Sequence, residues 1–277
     1  MTDKIINLDG AAVHHGKFSD RLYILSFPAT CGEETAAKAE ELAERNGYSK
    51  IIAKVPAEKA DIFIQRGYIT EAELPLRNAP YEKAVFLSKF IDPARREERD
   101  RKLQSEILLK ALSYKPDETE PPMTNLCERM APADADEMAG VYKQVFESYP
   151  FPIHDADYIR QTMKESAAYF GIREDCRITA LASAEMNPHI NAAEMTDFAT
   201  LPEARGRGYA NALLAKMEQE VPKLGISTFF TIARSLSFGM NITFAKRNYS
   251  FGGRLINNTN ICGGTETMNI WHKFAGC

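Results

Sequence analysis

The sequence predicts an α/β (α+β) fold, a mixed sheet with helices on its faces, arranged in two domains. Three observations carry that expectation. Short β-type apolar runs alternate with helical patterns, glycine or proline punctuates the junctions, and an acidic proline-rich stretch interrupts the pattern. In order, Leu22–Phe27 is an apolar run ending at Pro28, and Glu33–Arg45 has helical composition with Gly47 just past its end. Lys50–Val55 reads as a strand closed by Pro56, Lys59–Gln65 as a helix ending at Gly67 and Tyr68, and Ala84–Lys89 as a further strand. From Arg95 to Lys102 nearly every residue is charged. Glu97, Glu98 and Asp100 interleave with the arginines there, the pattern of a solvated helix face rather than a phosphate-binding strip. Leu103, Ile107, Leu108, Ala111 and Leu112 then fall at helical spacing and predict one packed face.

Lys115–Pro122 cannot continue a helix and predicts a linker. The expected division is a smaller α/β domain over 1–115, a linker over 116–123, and a second domain over 124–277. In the second domain, helices are expected over Ala133–Phe146, Ala156–Ser166, Ala210–Val221 and Met240–Arg247. Strands are expected at Ala168–Ile172, Thr179–Glu185, Ala193–Thr200, Thr228–Ala233 and Met268–Lys273. The two parts also echo each other. Phe63-Ile64-Gln65-Arg66-Gly67-Tyr68 matches Phe244-Ala245-Lys246-Arg247-Asn248-Tyr249, each copy preceded by a strand and followed by one ending in Lys-Phe. Either a duplicated, degenerate fold or chance patterning in two α/β units produces this.

Composition removes several classes of function. With 34 Lys+Arg against 38 Asp+Glu the chain is slightly acidic, so nucleic acid is not the expected partner and a small cationic or neutral guest is. No window approaches the ~18 consecutive apolar residues of a membrane span, and Met1–Gly10 lacks the order of a secretory signal, so a cytoplasmic protein without a membrane partner is expected. The 5 cysteines are odd in number and contain no C-x-x-C pair, and the 5 histidines show no metal-ligand spacing. No metal is expected, and no G-x-S-x-G elbow marks a serine nucleophile.

One segment carries chemistry. Ala193–Thr200 is a strand, Leu201–Ala204 a turn, and Arg205-Gly206-Arg207-Gly208-Tyr209-Ala210 runs into a helix with Leu213, Leu214 and Met217 on one face. A helix N-terminus leaves about four amides unpartnered and carries roughly half a positive charge, so an anion is its expected occupant. Gly206 and Gly208 allow close approach of the backbone to a pyrophosphate, and Arg205 or Arg207 can add charge-assisted bonds. Neither a Walker loop nor a Rossmann fingerprint fits, since Gly-Lys-Ser/Thr and a third glycine are both missing.

Arg205, Gly208 and Ala210 instead resemble the Q/R-x-x-G-x-G/A pyrophosphate motif of the GNAT superfamily of N-acetyltransferases, and the resemblance extends over Met130–Phe274. The strings Ser148–Ile153, Glu194–Thr200, Thr231–Arg234 and Asn269–Trp271 are similar to the β-lysine N6-acetyltransferase family, whose N-terminal half is similar too. The resemblance implies a GNAT fold for the second domain and acetyl transfer from acetyl-CoA to the terminal amine of β-lysine. The product would be the compatible solute N6-acetyl-β-lysine. Lysine or a polyamine is the alternative amine, a non-catalytic acyl-CoA-binding module the alternative class, and a homodimer the candidate assembly.

The resemblance also distributes roles. The backbone of Phe198, Ala199 and Thr200 pairs with the pantetheine arm, and the loop from Arg205 to Ala210, including Gly206, Arg207, Gly208 and Tyr209, holds the pyrophosphate. Strand alternation places Glu194 on one face and Asp197 on the other unless a bulge intervenes. Glu194 is the expected base, and Asp197 helps to hold the cationic amine. Phe244 occupies the position where the family commonly has a tyrosine acid, and Ser237 the position of a common asparagine, which leaves Ser237, Asn241 or water to assist the sulfur, or CoA to depart as the thiolate. Arg234 can clamp a substrate carboxylate. Tyr149, Phe151 and Tyr158 can wall the pocket, and Trp271, Phe229, Phe230 and Phe244 are expected in the core.

Overall fold

The computed structural model describes residues 3–116 and 123–276, so most of the expected linker and Cys277 lie outside the described residues. The first half opens with three strands, β1 (Lys4–Leu8), β2 (Ala11–Gly16) and β3 (Arg21–Ser26), of which only the third was expected. Helix α1 (Glu33–Arg45), strand β4 (Lys50–Pro56), helix α2 (Ala60–Ile64) and strands β5 (Ile69–Pro75) and β6 (Lys83–Phe90) follow. Ala36, Ala39 and Ala43 give α1 a slim buried face against Leu22, Ile24, Ile51 and Val55. Helix α3 (Arg101–Leu112) buries Gln104, Ile107 and Ala111, whereas Leu103 and Leu112 are exposed, so the expected apolar face is narrower than its spacing suggested.

The second half contains β7 (Cys127–Arg129), α4 (Ala135–Val145), α5 (Ala156–Glu165), β8 (Ala167–Glu174), β9 (Arg177–Asn187) and β10 (Ala192–Thr200). It continues with α6 (Tyr209–Glu220), β11 (Thr228–Arg234), α7 (Phe238–Lys246), β12 (Ser250–Ile261) and β13 (Gly264–Phe274). Strands β5 and β12 are the longer elements the sequence reading missed. Glu71, Glu73, Arg254 and Asn257 break their apolar pattern because each strand pairs with the other half as well as its own.

All 13 strands of the described residues form one sheet, ordered β1-β2-β3-β4-β6-β5-β12-β13-β11-β10-β9-β8-β7. The halves repeat one topology about the β5–β12 join. Reading outward from that join, β5-β6-β4-β3-β2-β1 and β12-β13-β11-β10-β9-β8 have the same neighbours and directions, with a single parallel pair in each, β3/β4 and β10/β11. Apolar residues from both halves pack together between them, Tyr23, Ile52 and Phe86 from the first against Ala192, Phe230 and Ile270 from the second. The sheet therefore curls so that its inner faces oppose. Strand alternation then sorts side chains: Ile51, Ala53 and Val55 of β4 face the helices, while Ile52 and Lys54 face the other half. Among the described residues no helix is long and apolar enough to cross a membrane.

Candidate active site

β10 pairs with β11 only from Ala192 to Glu194, opposite Thr228–Phe230, and the two then part. Past that point, the edge of β10 facing β11 is unpaired at Phe198, Ala199 and Thr200, while its other edge stays bonded to β9 through Ala199 and Thr200. A bulge falls between Thr196 and Ala199, with Asp197 at φ 54° in the left-handed region. That extra residue breaks the alternation expected from sequence. It turns Asp197 into the same cleft as Glu194, so the two acids converge instead of pointing apart.

The loop after β10 folds into a cradle. Gly206 and Gly208 have φ of 82° and 83°, a conformation costly for any side chain, and a Cβ at either would meet nothing within 4 Å. Gly208 is the N-cap of α6 and supplies no side-chain bond, and the first intrahelical bond is Ala212 N–H to the Gly208 carbonyl. The amides from Gly206 to Asn211 donate to no acceptor among the described residues. Arg205 borders the cleft, its Nε 3.3 Å from the Thr200 carbonyl. Arg207 does not. Its guanidinium turns away to Glu174, 2.6 Å, and the Glu203 carbonyl, 3.1 Å, so only its backbone remains for an anion. The Tyr209 ring is buried under the helix start, with its hydroxyl 2.5 Å from Glu174. Ala210 lines the cleft.

The cleft holds about 1210 Å³ and joins this cradle to the space between the halves. Glu165 lines it from α5, and three further carboxylates meet where the strands part: Glu194, Asp197 and Glu185, the last directly opposite Glu194 on β9. The Tyr149 hydroxyl donates to Asp197 at 2.5 Å and Ser183 Oγ donates to its other oxygen at 2.6 Å. Burial raises the Asp197 carboxyl above the ordinary range, and these two bonds oppose that. Burial likewise raises Glu185 well above a normal glutamate, with Asp197 and Glu194 adding to the effect. Glu194 is raised to about 7, by burial first, with Lys54 pulling it down, Asp197 pushing it up and Arg21 pulling it down.

Other expected residues fall in varied places. Phe151 lines the cleft and its ring lies 4.7 Å from that of His14 on β2; Tyr158 lines the same wall. Ser237 borders the cleft at the start of α7. Asn241 must be corrected. It is fully buried and all its bonding capacity is spent: Nδ2 on the Arg234 and Ser237 carbonyls, at 3.0 and 2.7 Å, and Oδ1 on Asn269 and the Trp271 indole, at 2.8 and 3.0 Å. It braces α7 against β13 and has no group left for a thiol. Arg234 is held by Glu266 at 2.7 Å and lies 3.2 Å from Cys262 Sγ, so its charge already has a partner. Phe244 is buried edge-on to Phe198 and Tyr249.

Sequence reasoning missed Glu185, Arg21, Tyr23 and Lys54. A signal existed for Lys54, a lysine in the middle of the apolar run Ile51–Val55, and for Glu185, an acid closing an alanine-rich strand.

Residues 138–238 match the family model described as Acetyltransferase (GNAT) family, a span that contains the parted strands and the cradle. A β-lysine N(6)-acetyltransferase of Methanococcus maripaludis is 35% identical over 278 residues, covering 99% of each chain. The chain belongs to the β-lysine N(6)-acetyltransferase family. A relative of that name from Methanosarcina mazei is 42% identical over 139 residues, covering 50% of this chain and 51% of its own. The Bacillus subtilis N-acetyltransferase YodP is 42% identical over 140 residues, with the same coverages. Family membership makes this chain an acyltransferase with a GNAT fold, and its site geometry can be read in those terms.

Proposed function

We propose that this enzyme transfers the acetyl group of acetyl-CoA to the terminal N6 amine of β-lysine, giving N6-acetyl-β-lysine as a compatible solute in the cytoplasm. One observation carries the reading: a single cleft contains both a row of unspent amides at Gly206–Asn211 and a carboxylate, Glu194, poised near neutral pH. The name and full-length similarity of the Methanococcus relative support the choice of amine. Acetyl-CoA fits the residues present. The open space beside Gly206 and Gly208 suits a pyrophosphate, and the free edge at Phe198–Thr200 suits an amide-bearing arm. When bound, it supplies an acyl thioester.

The residues of the chain do the rest. A lysine-type amine has a pKa of ~10.4, so presenting it neutral at pH 7 costs about 4–5 kcal/mol. Glu194 takes that proton, directly or through water, and its raised pKa matches it to the task. Asp197, fixed by Tyr149 and Ser183, holds the amine's charged form on arrival. Ser237 is placed to assist the departing sulfur. Glu185 adds a third carboxylate suited to the second ammonium of a diamino acid.

The test is acetyl-CoA consumption with β-lysine, α-lysine and spermidine, followed by mass spectrometry of the product. The expected result is the highest kcat/KM for β-lysine with the acetyl group on N6. Turnover of spermidine alone would replace the substrate. CoA binding without turnover of any amine would leave only a binding module.

A further inference from the structure

We infer that the N-terminal half reads the substrate's carboxylate, with Lys54 of β4 as the specificity-determining residue. The inference rests on the reading that the amine substrate is a diamino acid. Lys54 lies on the inward phase of β4, facing the other half, and borders the cleft that holds Glu185, Glu194 and Asp197. Its Nζ is 5.6 Å from the centre of the Phe230 ring, and Phe230 is the register partner of Glu194 where β10 and β11 part. The ammonium therefore reaches across the gap between the halves to the place where the catalytic strands open.

Among the described residues Lys54 makes no ion pair within 4.0 Å and no hydrogen bond, so its three donors are unspent. On the neighbouring strand β3, Arg21, the register partner of Lys50, is 3% exposed and also borders the cleft. Its Nη1 binds the Asn258 carbonyl and Oδ1, both at 2.9 Å, while its buried Nε has no partner. Arg234, a second cation able to take a carboxylate, is already paired with Glu266. Away from the cradle and its Arg205, the acids Glu185, Glu194 and Asp197 thus stand on β9 and β10, and the cations Arg21 and Lys54 face them from β3 and β4. A molecule with ammonium groups and one carboxylate satisfies both sides. A diamine without a carboxylate leaves Lys54 desolvated and unpartnered, which is discrimination by an unmet charge.

The test compares β-lysine with its primary amide in steady-state kinetics on the full-length enzyme, using wild type, Lys54→Met and Lys54→Arg. Lys54→Met should lower kcat/KM for β-lysine ~10- to 100-fold, chiefly through KM, the range expected for losing a charge-assisted hydrogen bond. On the plateau above the acid limb, where Glu194 is ionised in every variant, it should change the amide less than 3-fold by the same reckoning, and Lys54→Arg should restore most of the loss. Equal losses on acid and amide, or a shifted acid limb of the pH profile as the main effect, would overturn the inference and leave Lys54 acting through Glu194 or the fold. Thermal melts of both variants separate the latter. Should wild type prefer another diamino acid, the substrate reading fails while the acid and amide of that compound still decide the role of Lys54. Should it acetylate only carboxylate-free amines, both fall.

Discussion

At Glu194 burial and like charge hold the proton on, while Lys54 and Arg21 pull it off, and the balance lies at about 7. The sign follows directly. Below that pH the carboxyl is protonated and cannot act as base; above it the base is free, so kcat/KM should rise through pH 7. Glu194→Gln should lower kcat at pH 7 by ~100-fold or more, remove that acid limb, and recover partly at high pH where free amine is plentiful. An unchanged profile in the variant would take Glu194 out of the base role. At Gly208 the positive φ and the open space beyond it make the opposite kind of site, sensitive to any added charge. Gly208→Asp should weaken CoA binding at least ~10-fold, measured calorimetrically, with little change in KM for the amine. Wild-type affinity would move the pyrophosphate elsewhere.

At the scale of elements, one join decides the architecture. β5 meets β12 at Ala72 and Gly253, where a Cβ on residue 253, at φ 138°, would stand 2.4 Å from the Glu71 carbonyl oxygen. Next to it lies a buried ion pair. Lys50 Nζ is 2.7 Å from Glu71 and 2.6 Å from the Ile256 carbonyl. The Ile256 amide donates to Glu71 at 2.8 Å and Ser88 bonds the same carboxylate. Glu71→Ala leaves Lys50 charged and unpaired in the interior and should cost about 3–5 kcal/mol in urea denaturation. The double change Lys50→Met with Glu71→Leu should recover most of it, because replacing both partners removes the stranded charge. A single variant as stable as wild type would show that the pair does not fasten the halves.

At the scale of the whole molecule, the two halves share a strand order but not a chemistry. Helix α1 begins with Glu33 and Glu34, charges that repel an anion, where α6 begins with glycines and free amides. The first half still bounds the cleft through Arg21, Tyr23 and Lys54, and its Tyr23, Ile52 and Phe86 cover Phe230, Leu255 and Ile270. A fragment of residues 124–277 should therefore expose that apolar face, bind a hydrophobic dye, self-associate in gel filtration and lose acetyl transfer. A monomeric, fully active fragment would refute this dependence.

The sequence by itself determined the alternation of strands and helices, the cradle at Arg205–Ala210, the acids on the strand before it and the family resemblance. All of these are local, set by neighbours within a dozen residues. β1 escaped because Lys4 and Asn7 leave it only a few apolar residues, β2 because His14 and His15 break its apolar run, and β12 because its polar residues satisfy contacts with a distant half. Only the tertiary structure decided that Asp197 turns beside Glu194, that Asn241 spends every bond internally, and that Arg234 is already paired. A one-residue bulge, a saturated amide and a cross-strand ion pair each depend on what the sheet brings opposite. The same curl of the sheet carries Lys54 across to Glu194, 140 residues along the chain, and no local pattern encodes that meeting.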